Sequence, residues 1–256
     1  MRVTWILAIL ALSAIFLSGC NTVFAASNAQ EDLTSGLTLD EAGAVEIGES
    51  LIYPSSPLYF LKGIRERIEL MLSSNNKAKA QRELEFAQRR LREVRALIKH
   101  QRQDLIDSTL ERYKASLNEA RSLSAPDSSL QLPVGEAISR HLDVLQRVHD
   151  QVGNPRAKQA IRAALERGME HLQTMQKRLD LVQQQELIRK TALRQALACN
   201  LLAREASNSG LTDTDRVYLT QKVKDCQQNI RENLKDELME LRDMKKQLRP
   251  ATQSAK

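Results

Sequence analysis

Between Pro155 and Ser207 the chain has no further proline and a single glycine, Gly168. Inside a helix, glycine and proline cost about 1 and about 3 kcal/mol relative to alanine, so a stretch of this length without them favours helix throughout. At about 1.5 Å per residue, one helix of about 80 Å is possible there. The same economy runs through the whole molecule, where 9 Gly and 6 Pro stand among 256 residues dominated by Leu, Ala, Gln, Arg, Lys and Glu. No strand-like alternation and no repeat of fixed period stands out. The expected fold class is all-α, a multi-helix bundle followed by a long antiparallel helical hairpin.

Apolar periodicity places the helices. Tyr53-Pro54-Ser55-Ser56-Pro57 opens the structured part, with Ser56 as candidate cap and Pro57 in the first turn, where its missing N–H is harmless. Leu61, Ile64, Ile68 and Met71 or Leu72 form the stripe of a first helix, ending at Ser73-Ser74-Asn75-Asn76. Leu58, Tyr59, Phe60 and Leu61 are expected to pin that helix to the core. A second stripe follows (Leu84, Ala87, Leu91, Val94, Ile98), and after a polar break a third (Ile106, Leu110, Tyr113, Leu117, Ala120). The segment from Ser124 through Pro133 reads as a linker. A fourth helix carries Ile138, Leu142, Leu145 and Val148 or Val152, and Gly153-Asn154-Pro155 closes it. In the next segment the stripe Ile161, Leu165, Leu172, Met175, Leu179 and Val182 slips at Gln183-Gln184-Gln185-Glu186, which predicts a kink or a change of partner. Thr212 with Asp215 resembles a cap for a last helix over 213–248.

Charge is unevenly distributed. Residues 21–50 hold six acids and no Lys or Arg, whereas the chain from Leu51 onward carries +11 of a whole-chain net charge of +6. A basic body of this kind suits an anionic envelope polymer or acidic lipid, although its cations are interleaved with acids as on ordinary solvated helices. The only Trp is Trp5, near the N-terminus, so stacking platforms for sugars or single-stranded bases are not expected, and neither is nucleic acid as a partner.

Met1-Arg2 followed by an apolar run from Val3 to Phe16 has the form of a secretory leader, since a comfortable membrane span needs about 20 residues. The run ends in Leu17-Ser18-Gly19-Cys20, which looks like the lipobox of bacterial lipoproteins. The resemblance implies that Cys20 is acylated and becomes the first residue of the mature chain. Cleavage after Ala25 or Ala26, or retention of the uncleaved leader, are the other readings.

Few residues could carry chemistry. Cys199 and Cys226 lie on either side of the turn expected near residue 211, so an antiparallel hairpin would bring them level. Cys199 shares a small-residue stripe with Ala192, Ala196 and Ala203, and Cys226 an apolar one with Leu219, Val223 and Ile230. Small side chains permit the close helix approach that a disulfide needs. Buried free thiols and an intermolecular bridge are the alternatives. His100, His141, His149 and His171 show no metal-ligand spacing and are expected to decorate helix surfaces. There is no Gly-rich phosphate loop, serine elbow or Cys–His pairing, so no catalytic residue, metal or cofactor is expected.

The segment Ser56-Pro57-Leu58-Tyr59-Phe60-Leu61-Lys62 resembles the S-P-L-Y-x-L-K opening of a bacterial domain of unknown function found in exported or membrane-tethered proteins. The likeness continues in Leu84 to Leu91, Arg140 to Leu145 and Ala160 to Glu166, covering about residues 52–178. It implies an extracytoplasmic helical module and transfers no catalytic residue. The expected organisation is a signal peptide at 1–19, an acidic flexible tether at 20–52, a helical bundle at 53–182, a helical hairpin at 183–248 and a disordered tail at 249–256. The expected function is a lipid-anchored, non-catalytic interaction or structural module of the cell envelope. It would attach to the membrane through its acyl group and dock a protein partner, or itself, through helical faces. Binding of anionic envelope polymers or acidic lipid is the alternative.

Overall fold

Local caps set most helix boundaries. The computed structural model describes residues 37–38, 45, 47–208 and 210–248. The leader, Cys20, most of the acidic segment and the tail at 249–256 therefore lie outside the described residues. The helices are α1 (Tyr59–Met71), α2 (Asn76–Lys99), α3 (Ile106–Ser124), α4 (Ser128–His149), α5 (Pro155–Gln176), α6 (Leu181–Ala206), α7 (Asp213–Asn229) and α8 (Lys235–Leu248). A π-helical turn, Ile230–Leu234, joins α7 to α8. Taking that pair as one long final helix gives seven helices, and the described residues contain no strand.

Side chains accept the otherwise unpaired first N–H groups of several helices. Asn75 caps α2 through the N–H of Ala78 (2.8 Å), and Asp127 caps α4 through that of Ser129 (2.9 Å). Asn154 caps α5 through Arg156 and Ala157, ahead of Pro155. Thr212 accepts from the N–H of Asp215 at 3.1 Å and donates to its carboxylate at 2.8 Å, the cap expected for the last helix.

Two boundaries differ from expectation. The linker expected to end at Pro133 is shorter, because α4 already begins at Ser128 and takes Pro133 inside it. The chain from 155 to 207 is two helices, broken between Gln176 and Leu181. Asp180 starts the second one by accepting the N–H of Gln183 at 2.9 Å, an Asp-x-x-Gln pattern that lies just before the stripe slips.

The described residues divide into two compact units, one within Thr38–Leu201 and the other taking in the chain from Leu202 onward. In the first unit, α2, α3, α4 and α5 enclose the core. Leu91, Leu97, Ile106, Leu110, Tyr113, Leu117, Ile138, Leu142, Leu145, Ile161, Leu165 and Leu172 are all fully buried there. Gly168 lets α5 approach α4, since a Cβ at that position would come 2.7 Å from a methyl of Leu142. Helix α6 packs on α4 through Leu187, and Lys190 pairs with Glu136 at 2.6 Å. The histidines depart from expectation: His141, His149 and His171 are buried and only His100 is exposed. His141 packs edge-on against the Tyr113 ring, and His171 hydrogen-bonds Asn118 at 2.8 Å, so both join helices of the core.

The described residues of the segment expected to be a tether lie against this bundle. The Val45 N–H donates to Asp143 at 3.1 Å, Glu49 pairs with Lys99 at 2.8 Å, and Ile47 is buried. In the second unit, the long final helix buries Leu219, Val223, Cys226, Ile230, Leu234 and Leu238. Three successive steps of four residues would swing such a stripe by about 120° around an α-helix. The π turn at Ile230–Leu234 absorbs one residue and returns the stripe to line.

Candidate docking site on the first helix

Helix α1 lies on the bundle with its apolar side outward. Of the residues expected to pin it to the core, Leu58, Phe60 and Leu61 are exposed, as are Ile64 and Ile68 of the apolar stripe. Phe60 is 64% exposed, Met71 85% and Leu72 79%, far from the values of core residues. The buried side instead carries Tyr59, Lys62, Glu66 and Glu69, spaced three or four apart along one face.

What holds that face is a layer of charge. Glu93 of α2 has no exposed side-chain surface and takes the ammonium of Lys62 at 2.5 Å. It also accepts from Arg90 at 2.5 Å and from the Tyr59 hydroxyl at 2.9 Å. Arg90 reaches Glu66 as well. The Tyr59 oxygen accepts from Arg90 at 2.8 Å and from Arg112 of α3 at 2.6 Å, and the Arg112 guanidinium stands 4.9 Å above the ring. One turn further along, Glu69 receives Arg89 at 2.8 Å and Arg65 at 2.6 Å. Buried charges persist only when paired and hydrogen-bonded, and every carboxylate of this layer has a cation, although Glu66 Oε1 and Arg90 Nε are buried without a hydrogen-bond partner.

The ionisation behaviour follows from this arrangement. Burial, helped by the neighbouring Glu93 carboxylate, pushes the Tyr59 phenol up, so it stays a donor. Burial also raises Glu66, against the pull of Arg90 and Lys62. For Glu69 burial acts upward too, but the hydrogen bonds from Arg89 and Arg65 bring its carboxyl below the usual range.

The opening motif is therefore divided by role. Tyr59 and Lys62 converge on Glu93; Leu58 and Leu61 face outward with Phe60; Pro57 is exposed, in the turn that precedes α1. Ser56 does not cap the helix, since its hydroxyl accepts from Leu58 at 3.3 Å, within that same turn, and α1 has no side-chain cap. Sequence reasoning passed over Glu66, Arg90, Glu93 and Arg112. The signal that could have found them is the polar i, i+3, i+7 run of Tyr59, Lys62 and Glu66, which by itself does not say whether it faces water or protein.

Beside the helix lies a groove of about 500 Å³. Leu51, Ile52 and Leu61 line it together with Lys62, Arg65, Arg89 and Arg92. Among the described residues no cluster of His, Cys, Asp or Glu side chains is placed to hold a metal ion. No helix among them is long and apolar enough to cross a membrane.

Residues 51–155 match the family described as a domain of unknown function (DUF5667). The chain carries a DUF5667 domain. The match starts at the groove residue Leu51 and ends where α5 begins, so the DUF5667 domain holds α1 to α4, and the Ala160 to Glu166 segment lies outside it. No curated protein and no solved structure is matched. Outside the DUF5667 domain, Cys199 of α6 and Cys226 of α7 are both buried and are joined in a disulfide. Disulfides persist in oxidising compartments, so the bridge points to an extracytoplasmic protein.

Proposed function

We propose that this chain is a lipid-anchored, non-catalytic docking module of the bacterial cell envelope, and that its working surface is the outer face of α1. The supporting observation is the inverted helix: Phe60, Leu61, Ile64, Ile68, Met71 and Leu72 form a continuous exposed apolar face on a domain whose core is otherwise closed. A contiguous apolar patch of this kind marks an interaction site, whereas exposed apolar residues on the later helices come at most as short pairs, Leu181 with Val182 and Val217 with Tyr218. The lipobox-like Leu17-Ser18-Gly19-Cys20 supports the anchor, and the Cys199–Cys226 bridge agrees with export.

The anchor and the surface are tested separately. Cys20→Ala should abolish labelling by a fatty-acid probe, and surviving label would remove the anchor. A photo-crosslinking amino acid at Ile68 should form an adduct with a partner molecule in intact cells, while one at the exposed Glu111 of α3 should not. Absence of any adduct at 68, whether with protein or with lipid, would end the docking reading.

A further inference from the structure

Helix α1 has a particular distribution of charge around its exposed face. At 100° per residue, Phe60, Met71, Ile64, Ile68, Leu61 and Leu72 fill a continuous arc of about 120°. Arg67 borders one side of that arc and Arg65 the other, and both are exposed. The two acids of the helix, Glu66 and Glu69, are turned inward onto Arg90 and Arg89. The ionic layer beneath is nearly self-balancing: Lys62 and Arg90 answer Glu66 and Glu93, while Arg65 and Arg89 share Glu69. What remains uncompensated is positive. Arg67 and Arg92 make no ion pair among the described residues, and the Nε of Arg92 is buried without an acceptor. Arg92 lines the groove that runs beside Leu61 and Arg65 on the same border of the arc.

We infer that the outer face of α1 seats on the surface of an anionic bilayer, its apolar arc among the acyl chains and Arg65, Arg67 and Arg92 at the acidic headgroups. This inference rests on the docking reading above and names the occupant. Charge complementarity favours lipid over a second copy of the chain. In a twofold pairing of α1 with α1, the border arginines of one copy would face those of the other, and although Arg65 is partly offset by its own Glu69, no acid on the outer face would offset Arg67. An interfacial helix has the opposite need, an apolar face bordered by cations that reach back to headgroup phosphates. Of the described part of the acidic segment, Val45 lies on Asp143, and Glu49, which also lines the groove, is already paired with Lys99 at 2.8 Å.

Spin labelling of the full chain tests the inference. Cys20→Ser makes the experiment independent of acylation, and with Cys199 and Cys226 bridged, Met71→Cys supplies the only free thiol. A nitroxide at 71 is compared with one at Glu111→Cys, in buffer and with vesicles of phosphatidylcholine alone or mixed with phosphatidylglycerol. On the mixed vesicles the label at 71 should gain oxygen accessibility severalfold and lose access to an aqueous nickel chelate, while the label at 111 does not change. R67E, at a border position that makes no ion pair among the described residues, should weaken the preference for anionic vesicles severalfold without altering the helical circular dichroism. A label at 71 that remains in water on every vesicle overturns the inference. So does one already shielded in buffer, and so does spin–spin coupling between copies, which would identify a second chain as the occupant. If the label stays in water while the probe at Ile68 crosslinks to a protein in cells, the docking reading stands and the lipid assignment falls. If neither responds, both fall.

Discussion

Glu93 has no exposed side-chain surface, and it takes donors from three residues on two helices, Tyr59, Lys62 and Arg90. Removing its charge while keeping its shape leaves two cations facing a neutral amide. Glu93→Gln should therefore destabilise the protein by about 3–5 kcal/mol, the usual result of stripping one partner from a buried ion pair. Tyr59→Phe removes one hydroxyl and leaves the charges paired, so about 1–3 kcal/mol is expected. Urea unfolding followed by circular dichroism checks both values. If Glu93→Gln cost no more than Tyr59→Phe, the carboxylate would not be the centre of the layer. These partners lie 24 to 53 residues from the α1 side chains they hold, and for that reason they escaped a reading based on local spacing.

At the scale of the element, α1 is amphipathic in the ordinary periodic sense, and its helix is legible in the sequence. The direction it faces is not, because periodicity reports that a helix has two unlike faces and leaves open which one is buried. In α3 the apolar face went inward, with Ile106, Leu110, Tyr113, Leu117 and Ala120 fully buried as expected. In α1 the apolar face went outward, because the polar one meets complementary charge on α2 and α3. This contrast makes a direct prediction. Ile68→Ala, at an exposed position, should change stability by less than about 0.5 kcal/mol, whereas Leu91→Ala, with no exposed surface, should cost about 2–5 kcal/mol. Denaturation midpoints of the two variants decide the matter, and a large effect at Ile68 would mean that the outer face is covered within the isolated protein.

The whole molecule carries a pH dependence that its surface charge would not suggest. Burial holds His141 at about 3 and, with help from Arg121 and Arg167, holds His171 at about 4, both below the ordinary 6.5. Below that ordinary value the unfolded chain takes up protons that the folded chain refuses, so stability is complete above about pH 6.5 and falls as the pH drops toward 4. Between pH 7 and pH 5 the loss should be about 2 kcal/mol for each histidine, in a range where most carboxylates are still ionised. Urea midpoints at the two pH values check this, and His171→Gln should flatten the slope; equal midpoints for the parent protein would contradict it. Helix content, most boundaries, the cap at Thr212, and the helical partnership of Ile138, Leu142 and Leu145 were determined by the sequence on its own. These depend on backbone propensity and on side chains a few residues apart. Tertiary structure alone decided that three histidines enter the core, that Lys62 and Tyr59 share one buried carboxylate, and that α1 turns its greasy side to the outside. Each of those outcomes is a competition between burial and pairing with residues distant in the chain, and local sequence does not record which partner wins.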